Sequence, residues 1–141
     1  MTLVRPSGDK HMAQVRVLLA DDHLPVLAAI RRLLGQDFDV VGEAHDGEEV
    51  ARMARDLRPD IVLTDLAMPR TGGLDTIRRI NADRSASAIV VLTVLADRAV
   101  VGAAVEAGAR AYVLKSEAGA ELLPAITAAL AGRCTVPAGL S

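Results

Sequence analysis

The sequence predicts a doubly wound α/β domain, in which helices cover both faces of a parallel five-stranded sheet. Two observations support this prediction. Short apolar runs alternate with amphipathic segments at close, even spacing along the chain. The run at 61–64 is apolar or β-branched throughout and lies between turn residues, which is typical of a parallel strand buried on both faces. The alternation requires βα units with right-handed crossovers, and these place helices on both sides of the sheet.

The individual elements follow from periodicity, β-type runs and turn signals. Strands are predicted at 15–20, 39–44, 60–64, 88–93 and 110–114, and helices at 24–34, 48–57, 74–80, 97–107 and 121–131. A turn at 70–73 follows Pro69 and precedes the third helix. Pro124 lies past the first turn of the last helix, so we expect that helix to start late or to bend. The predicted sheet has strand order 2-1-3-4-5 and is of the flavodoxin-like type.

Composition indicates a globular domain and excludes several classes of function. The 141 residues suit one domain with a single core, since 51% are hydrophobic and 24% are charged. The net charge of −2 offers no electrostatic footprint for nucleic acid, and the two aromatic residues, Tyr112 and Phe38, offer no base-stacking platform. No apolar run approaches about 18 residues and no leader is recognisable, so we expect a cytoplasmic protein without a membrane span. A single cysteine, Cys134, excludes an internal disulfide.

The predicted domain occupies residues 15–132. Residues 1–14 are polar, contain proline and glycine and show no period, so we interpret them as a disordered segment or a tag outside the fold. Residues 133–141 are typical of a linker that leaves the domain.

Five chemically useful side chains follow or end strands of the predicted sheet. They are Asp21 and Asp22 after the first strand, Asp65 after the third, Thr93 at the end of the fourth and Lys115 at the end of the fifth. Each alone has an ordinary explanation, such as a helix cap or a solvated lysine. Because the carboxyl ends of parallel strands share one edge, we expect all five to meet in one crevice.

Clustered carboxylates repel one another, and a hard cation such as Mg²⁺ relieves that repulsion by taking oxygen ligands. Lys115 supplies a compact positive charge for a phosphoryl group, and Thr93 supplies a donor for one of its oxygens. Asp65 lies centrally among these groups and is the candidate nucleophile for in-line phosphoryl transfer. The sequence therefore predicts a magnesium-dependent aspartyl phosphate site.

At this point the chain resembles the receiver domains of two-component response regulators, over residues 15 to about 132. The resemblance is carried by VLLADDH at 17–23, DIVLTDLAMPRTGGLD at 60–75, VVLT at 90–93 and AGARAYVLKS at 107–116. The DDH and RAYVLKS forms look most like the NarL/FixJ-like subfamily, whose receivers carry a LuxR-type helix-turn-helix effector. The resemblance implies phosphorylation by a sensor histidine kinase and a DNA-binding output through a C-terminal domain beyond the linker.

Carried over residue by residue, the resemblance implies a role for each position. Asp65 is the phosphoacceptor, Thr93 the switch hydroxyl, Lys115 the phosphate-pairing lysine and Tyr112 the aromatic switch residue. The implied Mg²⁺ ligands are Asp22, Asp65 and the backbone carbonyl of Ala67, with Asp21 beside them. One departure is Ser116, which replaces the proline that often follows the lysine and so removes an expected cis peptide.

Three alternatives to a kinase-switched transcription regulator need to be weighed. The chain could be a stand-alone receiver that acts through protein partners. A phosphoaspartate hydrolase of haloacid-dehalogenase type would need a second aspartate two residues after the nucleophile, where this chain has Ala67. A pseudo-receiver is disfavoured because all five site positions are filled. We expect no enzymatic activity beyond the phosphorylation and dephosphorylation of the chain itself.

The first helix carries more apolar surface than contact with its own sheet requires. Its apolar positions cover an arc of roughly 160°, whereas one core contact needs a stripe of about 100°. The last helix carries Ala125, Ala128 and Ala131 away from its leucine face. Small residues permit close helix approach and apolar patches mark interaction sites, so we predict a homodimer through helices one and five.

Overall fold

The computed structural model describes residues 14–68 and 72–140, which form a single parallel sheet flanked by helices. The strands are β1 (Val15–Ala20), β2 (Phe38–Ala44), β3 (Ile61–Thr64), β4 (Ala88–Thr93) and β5 (Ala111–Leu114). The helices are α1 (Leu24–Leu34), α2 (Gly47–Leu57), α3 (Gly73–Asp83), α4 (Arg98–Ala107) and α5 (Ala118–Leu130). The sheet order is β2-β1-β3-β4-β5 and all pairs are parallel, which confirms the predicted flavodoxin-like topology.

Successive residues of each strand alternate between two apolar cores, one on each face of the sheet. Val17 and Leu19 of β1 pack on the side covered by α1 and α5, whereas Leu18 and Ala20 pack on the side covered by α2, α3 and α4. All four are at most 3% exposed. Burial on both faces explains why β1, β3 and β4 are near-continuous apolar runs.

Most element boundaries agree with the predictions, and two helices differ at their ends. Helix α3 extends to Asp83, three residues beyond the predicted end. Helix α5 begins at Ala118 and contains Pro124, so the predicted late start is wrong. A 3₁₀ turn at Lys115–Glu117 leads directly into α5, which explains how the helix begins before the proline. The predicted turn at 70–73 falls partly on residues 69–71, and the predicted tag on residues 1–13, both outside the described residues.

The prediction about the alanines of the last helix is wrong for two of three residues. Ala125 and Ala128 are 6% and 7% exposed and belong to the interior of the domain, whereas Ala131 is exposed. The pattern misleads because α5 packs on β4 and β5 through small residues as well as through leucines. On α1, by contrast, only Leu27, Ile30 and Leu34 are buried, so part of its apolar arc does face outward.

The segment after α5, predicted as a linker, lies along the outer edge of β5. Thr135 forms a parallel bridge with Ala111, because its N–H donates to the Arg110 carbonyl and its carbonyl accepts from the Tyr112 N–H, both at 3.0 Å. Val136 and Leu140 pack against the core that contains Tyr112. Residues 133–140 therefore add to the folded domain that was predicted to end at 132.

The helices of the described ranges are too short or too polar to cross a membrane. The described peptide bonds are all trans.

Candidate functional site

The carboxyl ends of β1, β3, β4 and β5 bring the predicted side chains to one edge of the sheet. Asp21 directly follows β1, Asp65 follows β3, Thr93 is the last residue of β4 and Lys115 follows β5. The Lys115 Nζ lies 2.7 Å from Asp21 Oδ2 and 2.8 Å from Asp65 Oδ2. One ammonium group thus bridges two carboxylates that are 1% and 4% exposed.

The hydrogen bonds of Asp65 hold its carboxylate in place and in the ionised form. Its Oδ1 accepts from the N–H groups of Leu66 at 2.7 Å and Ala67 at 3.2 Å, while Oδ2 faces Lys115. Burial alone raises the pKa of this carboxyl, but hydrogen bonds from Lys115, Thr93 and the Ala67 N–H together with the Lys115 charge outweigh burial and lower it. Asp65 is therefore a carboxylate at neutral pH and needs no base to become a nucleophile.

Lys115 is stabilised as a cation by the same contacts. Burial lowers its pKa, and the hydrogen bonds and charges of Asp21 and Asp65 overcome that effect and raise the pKa above its usual 10.5. The side chain is 17% exposed, so its charge can also reach a group that enters the crevice from solvent.

Asp22 contacts His23, the residue that follows it. The His23 Nδ1 lies 3.1 Å from Asp22 Oδ1 and 3.3 Å from Asp21 Oδ1, and His23 is the N-cap residue of α1. The possible ligand atoms of Asp21, Asp22 and His23 all lie within 4.8 Å of one another. The side chain of Asp22 is 33% exposed, which leaves it open to an ion from solvent.

The donor set suits a hard divalent cation. Asp21, Asp22 and Asp65 supply carboxylate oxygens at one strand edge, and the Lys115 ammonium contacts two of them. Magnesium prefers a few carboxylates and retained waters over an all-protein cage. The residues present therefore fit such an ion.

Thr93 and Tyr112 are connected through the segment between β4 and α4. The Thr93 hydroxyl, which is fully buried, accepts a long hydrogen bond of 3.5 Å from the Leu95 N–H. The Leu95 carbonyl in turn accepts the Tyr112 hydroxyl at 2.8 Å. Tyr112 is 2% exposed, so its ring is packed inward, and its pKa is raised to about 12 by burial and by the charges of Asp65 and Asp97.

The structure thus brings together Asp21, Asp65 and Lys115 directly, with Asp22 beside Asp21. Ala67, which was also predicted as a site residue, donates a hydrogen bond from its N–H to Asp65. Two contacts were not predicted, that of His23 with the acidic pair and that of Leu95 with Thr93 and Tyr112. Residue type offered no signal for Leu95, since its role rests on backbone groups, whereas the position of His23 directly after two aspartates could have indicated a contact.

A parallel α/β sheet with an acidic pair, a central aspartate, a hydroxyl and a lysine at its carboxyl edge defines a receiver domain. The model of the response regulator receiver domain family matches residues 17–127. The chain belongs to this family, and it is a receiver domain of a two-component response regulator.

Relatives and solved structures agree with this assignment. The transcriptional regulatory protein LiaR of Bacillus subtilis is 41% identical over 120 residues, which are 84% of this chain and 57% of LiaR. A LuxR-family two-component response regulator from Aurantimonas sp. SI85-9A1 is 39% identical with a TM-score of 0.83, covering 91% of this chain and 93% of that one. A structure of two RcsB dimers bound to two parallel DNAs is 30% identical with a TM-score of 0.80, covering 91% and 66%.

The chain spans little more than half the length of the curated relatives it matches. Those relatives are named as transcriptional regulators or response regulators.

Proposed function

We propose that this receiver is switched by magnesium-dependent phosphorylation of Asp65, with a sensor histidine kinase as the phosphoryl donor. The observation that carries the proposal is the contact of Lys115 with both Asp21 and Asp65 at the strand edge. Such a bridge holds the nucleophile ionised and provides a positive charge where a phosphoryl oxygen would arrive. Receiver domains take phosphoryl groups from histidine kinases, and the geometry around Asp65 suits that donor.

In the proposed reaction an Asp65 carboxylate oxygen attacks the phosphorus of a phosphohistidine in line with the bond to the imidazole. The oxygen–phosphorus bond forms as the phosphorus–nitrogen bond breaks, and the imidazole leaves with the electron pair and takes a proton. Lys115 pairs with one phosphoryl oxygen and the Thr93 hydroxyl donates to another. The N–H groups of Leu66 and Ala67 hold the remaining carboxylate oxygen in position.

Asp22, Asp65 and the Ala67 carbonyl, with Asp21 beside them, are the proposed Mg²⁺ ligands. When bound, the ion supplies positive charge that neutralises the carboxylates and the transferring phosphoryl group. Asp22 is the ligand most available to an ion, because its side chain is the most exposed of the three aspartates.

The proposed activity is limited to the chain itself. Asp65 accepts and later loses a phosphoryl group, and no acid/base carboxylate stands two residues after it, since that position is Ala67. We therefore propose a switch that acts in the cytoplasm, with no turnover of a separate substrate.

The proposed output is control of transcription through DNA. The relatives named as transcriptional regulators and the RcsB dimers on DNA support this proposal. We propose that phosphorylation promotes pairing of receivers through α1 and α5. An apolar groove of about 280 Å³ lies between these helices and is lined by Pro25, Val26, Ala29, Ile30, Leu33 and Ala118 among others, and Leu24 beside it is 66% exposed.

The experiment that tests the chemistry is incubation with acetyl phosphate and Mg²⁺, followed by intact-mass measurement. We expect a gain of one phosphoryl group in the native chain and none in Asp65→Asn. A matched control is Asp75→Asn, since Asp75 is an exposed aspartate on α3 that pairs with Arg78. Equal phosphorylation of Asp65→Asn and the native chain would refute the assignment.

The experiment that tests pairing is sedimentation with and without beryllofluoride, a phosphoryl mimic. We expect a dimer in its presence and a loss of the dimer in Leu24→Asp, because a charge in the exposed apolar surface of α1 would be desolvated on pairing. A monomer under both conditions at concentrations near a millimolar would refute the dimer and leave the phosphorylation chemistry intact.

A further inference from the structure

The segment formed by residues 135–140, which we name the strap, is held to the domain at two separate points. At one end Thr135 pairs with β5, through hydrogen bonds to the Arg110 carbonyl and from the Tyr112 N–H, both at 3.0 Å. At the other end the Gly139 carbonyl accepts from Arg98 Nη2 at 2.9 Å. Arg98 is the first residue of α4, so the strap spans from β5 to the start of α4.

The same two elements are linked to the phosphorylation site by the segment between β4 and α4. Leu95 contacts Thr93 through its N–H and Tyr112 through its carbonyl, and Arg98 follows three residues later. The strap therefore rests at one end on the backbone of Tyr112 and at the other on the helix that begins just after Leu95. Any displacement of residues 94–98 relative to β5 changes the distance between its two anchors.

The strap is attached weakly in comparison with the strands beneath it. It forms one bridge rather than a ladder, and its apolar contacts come from Val136 and Leu140, which are only partly buried. A cavity of about 420 Å³ remains between it, β5 and α5, so the segment is not close-packed against the domain. Segments with few buried contacts open locally at lower free energy than the core does.

We infer that the strap is a device that phosphorylation of Asp65 releases from β5 and α4. The inference rests on the proposed function, since the trigger is the phosphoryl group. In the resting domain the Thr93 hydroxyl bonds to Asp65 and accepts a long hydrogen bond of 3.5 Å from the Leu95 N–H. A phosphoryl group on Asp65 displaces this hydroxyl as the group becomes the new acceptor, the long contact with Leu95 breaks, and residues 94–98 are free to shift. The strap cannot follow β5 and α4 at once, so it detaches, and the edge of β5 and the start of α4 become exposed to solvent.

Hydrogen exchange measured by NMR tests the release at single amides. The Tyr112 and Thr135 amides both bond across the strap, whereas the Arg110 amide bonds inward to the Ile89 carbonyl at 2.8 Å and serves as the control. With Mg²⁺ and beryllofluoride we expect protection at Tyr112 and Thr135 to fall about tenfold or more, as for local opening, and protection at Arg110 to be kept. In Thr93→Ala, the bound mimic should leave the strap amides protected.

Fluorine NMR of the same samples reports whether beryllofluoride is bound and separates the two hypotheses. A bound mimic with unchanged protection at Tyr112 and Thr135 would overturn the strap inference and leave the proposed function standing. Absence of a bound mimic would overturn the proposed function, and with it the trigger for release.

The α4 anchor is tested without any phosphoryl mimic. Arg98→Ala removes the bond to the Gly139 carbonyl and should lower protection at Thr135, whereas Arg78→Ala, at an exposed arginine of α3, should not. Unchanged protection at Thr135 in Arg98→Ala would show that α4 does not hold the strap, which overturns the inference.

Discussion

The ammonium group of Lys115 lies 2.8 Å from Asp65 Oδ2 and at the same time 2.7 Å from Asp21 Oδ2. In the unphosphorylated domain this single cation offsets the repulsion between two buried carboxylates. A phosphoryl group on Asp65 would compete with Asp21 for the same cation. Its oxygens carry more negative charge than the carboxyl oxygen that remains in the acyl phosphate. Lys115 thus connects the stability of the domain to the chemistry of the proposed switch.

Lys115→Ala should destabilise the domain by about 1–3 kcal/mol, because it leaves Asp21 and Asp65 buried without their shared partner. Urea denaturation at pH 7 measures this change. Arg79→Ala is the control, since Arg79 forms an exposed pair with Glu48 at 3.3 Å that is worth about 0–1 kcal/mol.

Lys115→Ala should also separate phosphorylation from the change in conformation. We expect this variant to accept some phosphoryl group from acetyl phosphate but to show no accompanying rearrangement of Thr93 and Tyr112. Native-like chemical-shift changes in β4 and β5 would contradict this.

Tyr112 should titrate with a pKa of about 12 in the folded domain, because burial and the charges of Asp65 and Asp97 disfavour the phenolate. It is the sole tyrosine and the chain has no tryptophan, so absorbance at 295 nm reports this group alone. The folded pKa lies above the ordinary value of 10.0, so its contribution to stability is complete below pH 10 and is lost as pH rises from 10 to 12. A midpoint equal to that of the urea-unfolded chain would refute the buried, neutral phenol.

The sequence was sufficient to predict the sheet order and the meeting of Asp21, Asp65 and Lys115 at one strand edge, because both follow from local patterns. Apolar runs that end in polar residues, such as 61–64 before Asp65, define parallel strands, and topology then brings their ends together. The positions of Ala125 and Ala128 were misjudged because small residues carry little periodic signal and their burial depends on how closely α5 approaches the sheet.

The contacts of Leu95 and of residues 135–140 could not have been predicted in the same way. Leu95 acts through its N–H and carbonyl, which every residue except proline possesses, so its side chain gives no indication of the contact. The pairing of Thr135 with β5 depends on a free strand edge at the right distance from the end of α5. Such a contact is a property of the assembled sheet, and local sequence preference does not determine it.

The two neighbouring aspartates should respond differently to removal of charge. Asp21 is 1% exposed, and it accepts from the His23 N–H at 2.9 Å and pairs with Lys115, so Asp21→Ala should lower the free energy of unfolding by about 2 kcal/mol or more. Asp22 is 33% exposed and contacts His23, so Asp22→Ala should change it by less than about 1 kcal/mol. Asp22→Ala should nevertheless abolish phosphorylation by acetyl phosphate at ordinary Mg²⁺ concentrations, because the variant lacks a proposed ligand of the ion.

Urea denaturation and intact mass separate the two effects for these variants. Full phosphorylation of Asp22→Ala would refute its assignment as a metal ligand. A large loss of stability in Asp22→Ala would instead indicate a structural role that the exposed side chain does not suggest.

Gly73 supports the segment that follows Asp65, the proposed phosphoacceptor. A Cβ built at Gly73 would lie 2.6 Å from the Leu66 carbonyl oxygen and 2.7 Å from its Cα, both backbone atoms that cannot yield without moving the chain. Leu66 also donates its N–H to Asp65 Oδ1 at 2.7 Å. Gly73→Ala should therefore displace Leu66, weaken the hold on Asp65 and destabilise the domain by about 1–3 kcal/mol, the usual cost of overpacking.

Gly102 provides the matched control, since it lies in α4 and a Cβ there meets nothing within 4 Å. Gly102→Ala should stabilise the domain by about 0.5–1 kcal/mol, because alanine loses less backbone freedom in a helix than glycine does. Urea denaturation compares the two variants, and the rate of mass gain with acetyl phosphate should fall only for Gly73→Ala. Equal stability of the two variants would refute the close approach of Gly73 to Leu66. A normal phosphorylation rate in a destabilised Gly73→Ala would restrict the role of this contact to folding, because Asp65 would then keep its position without it.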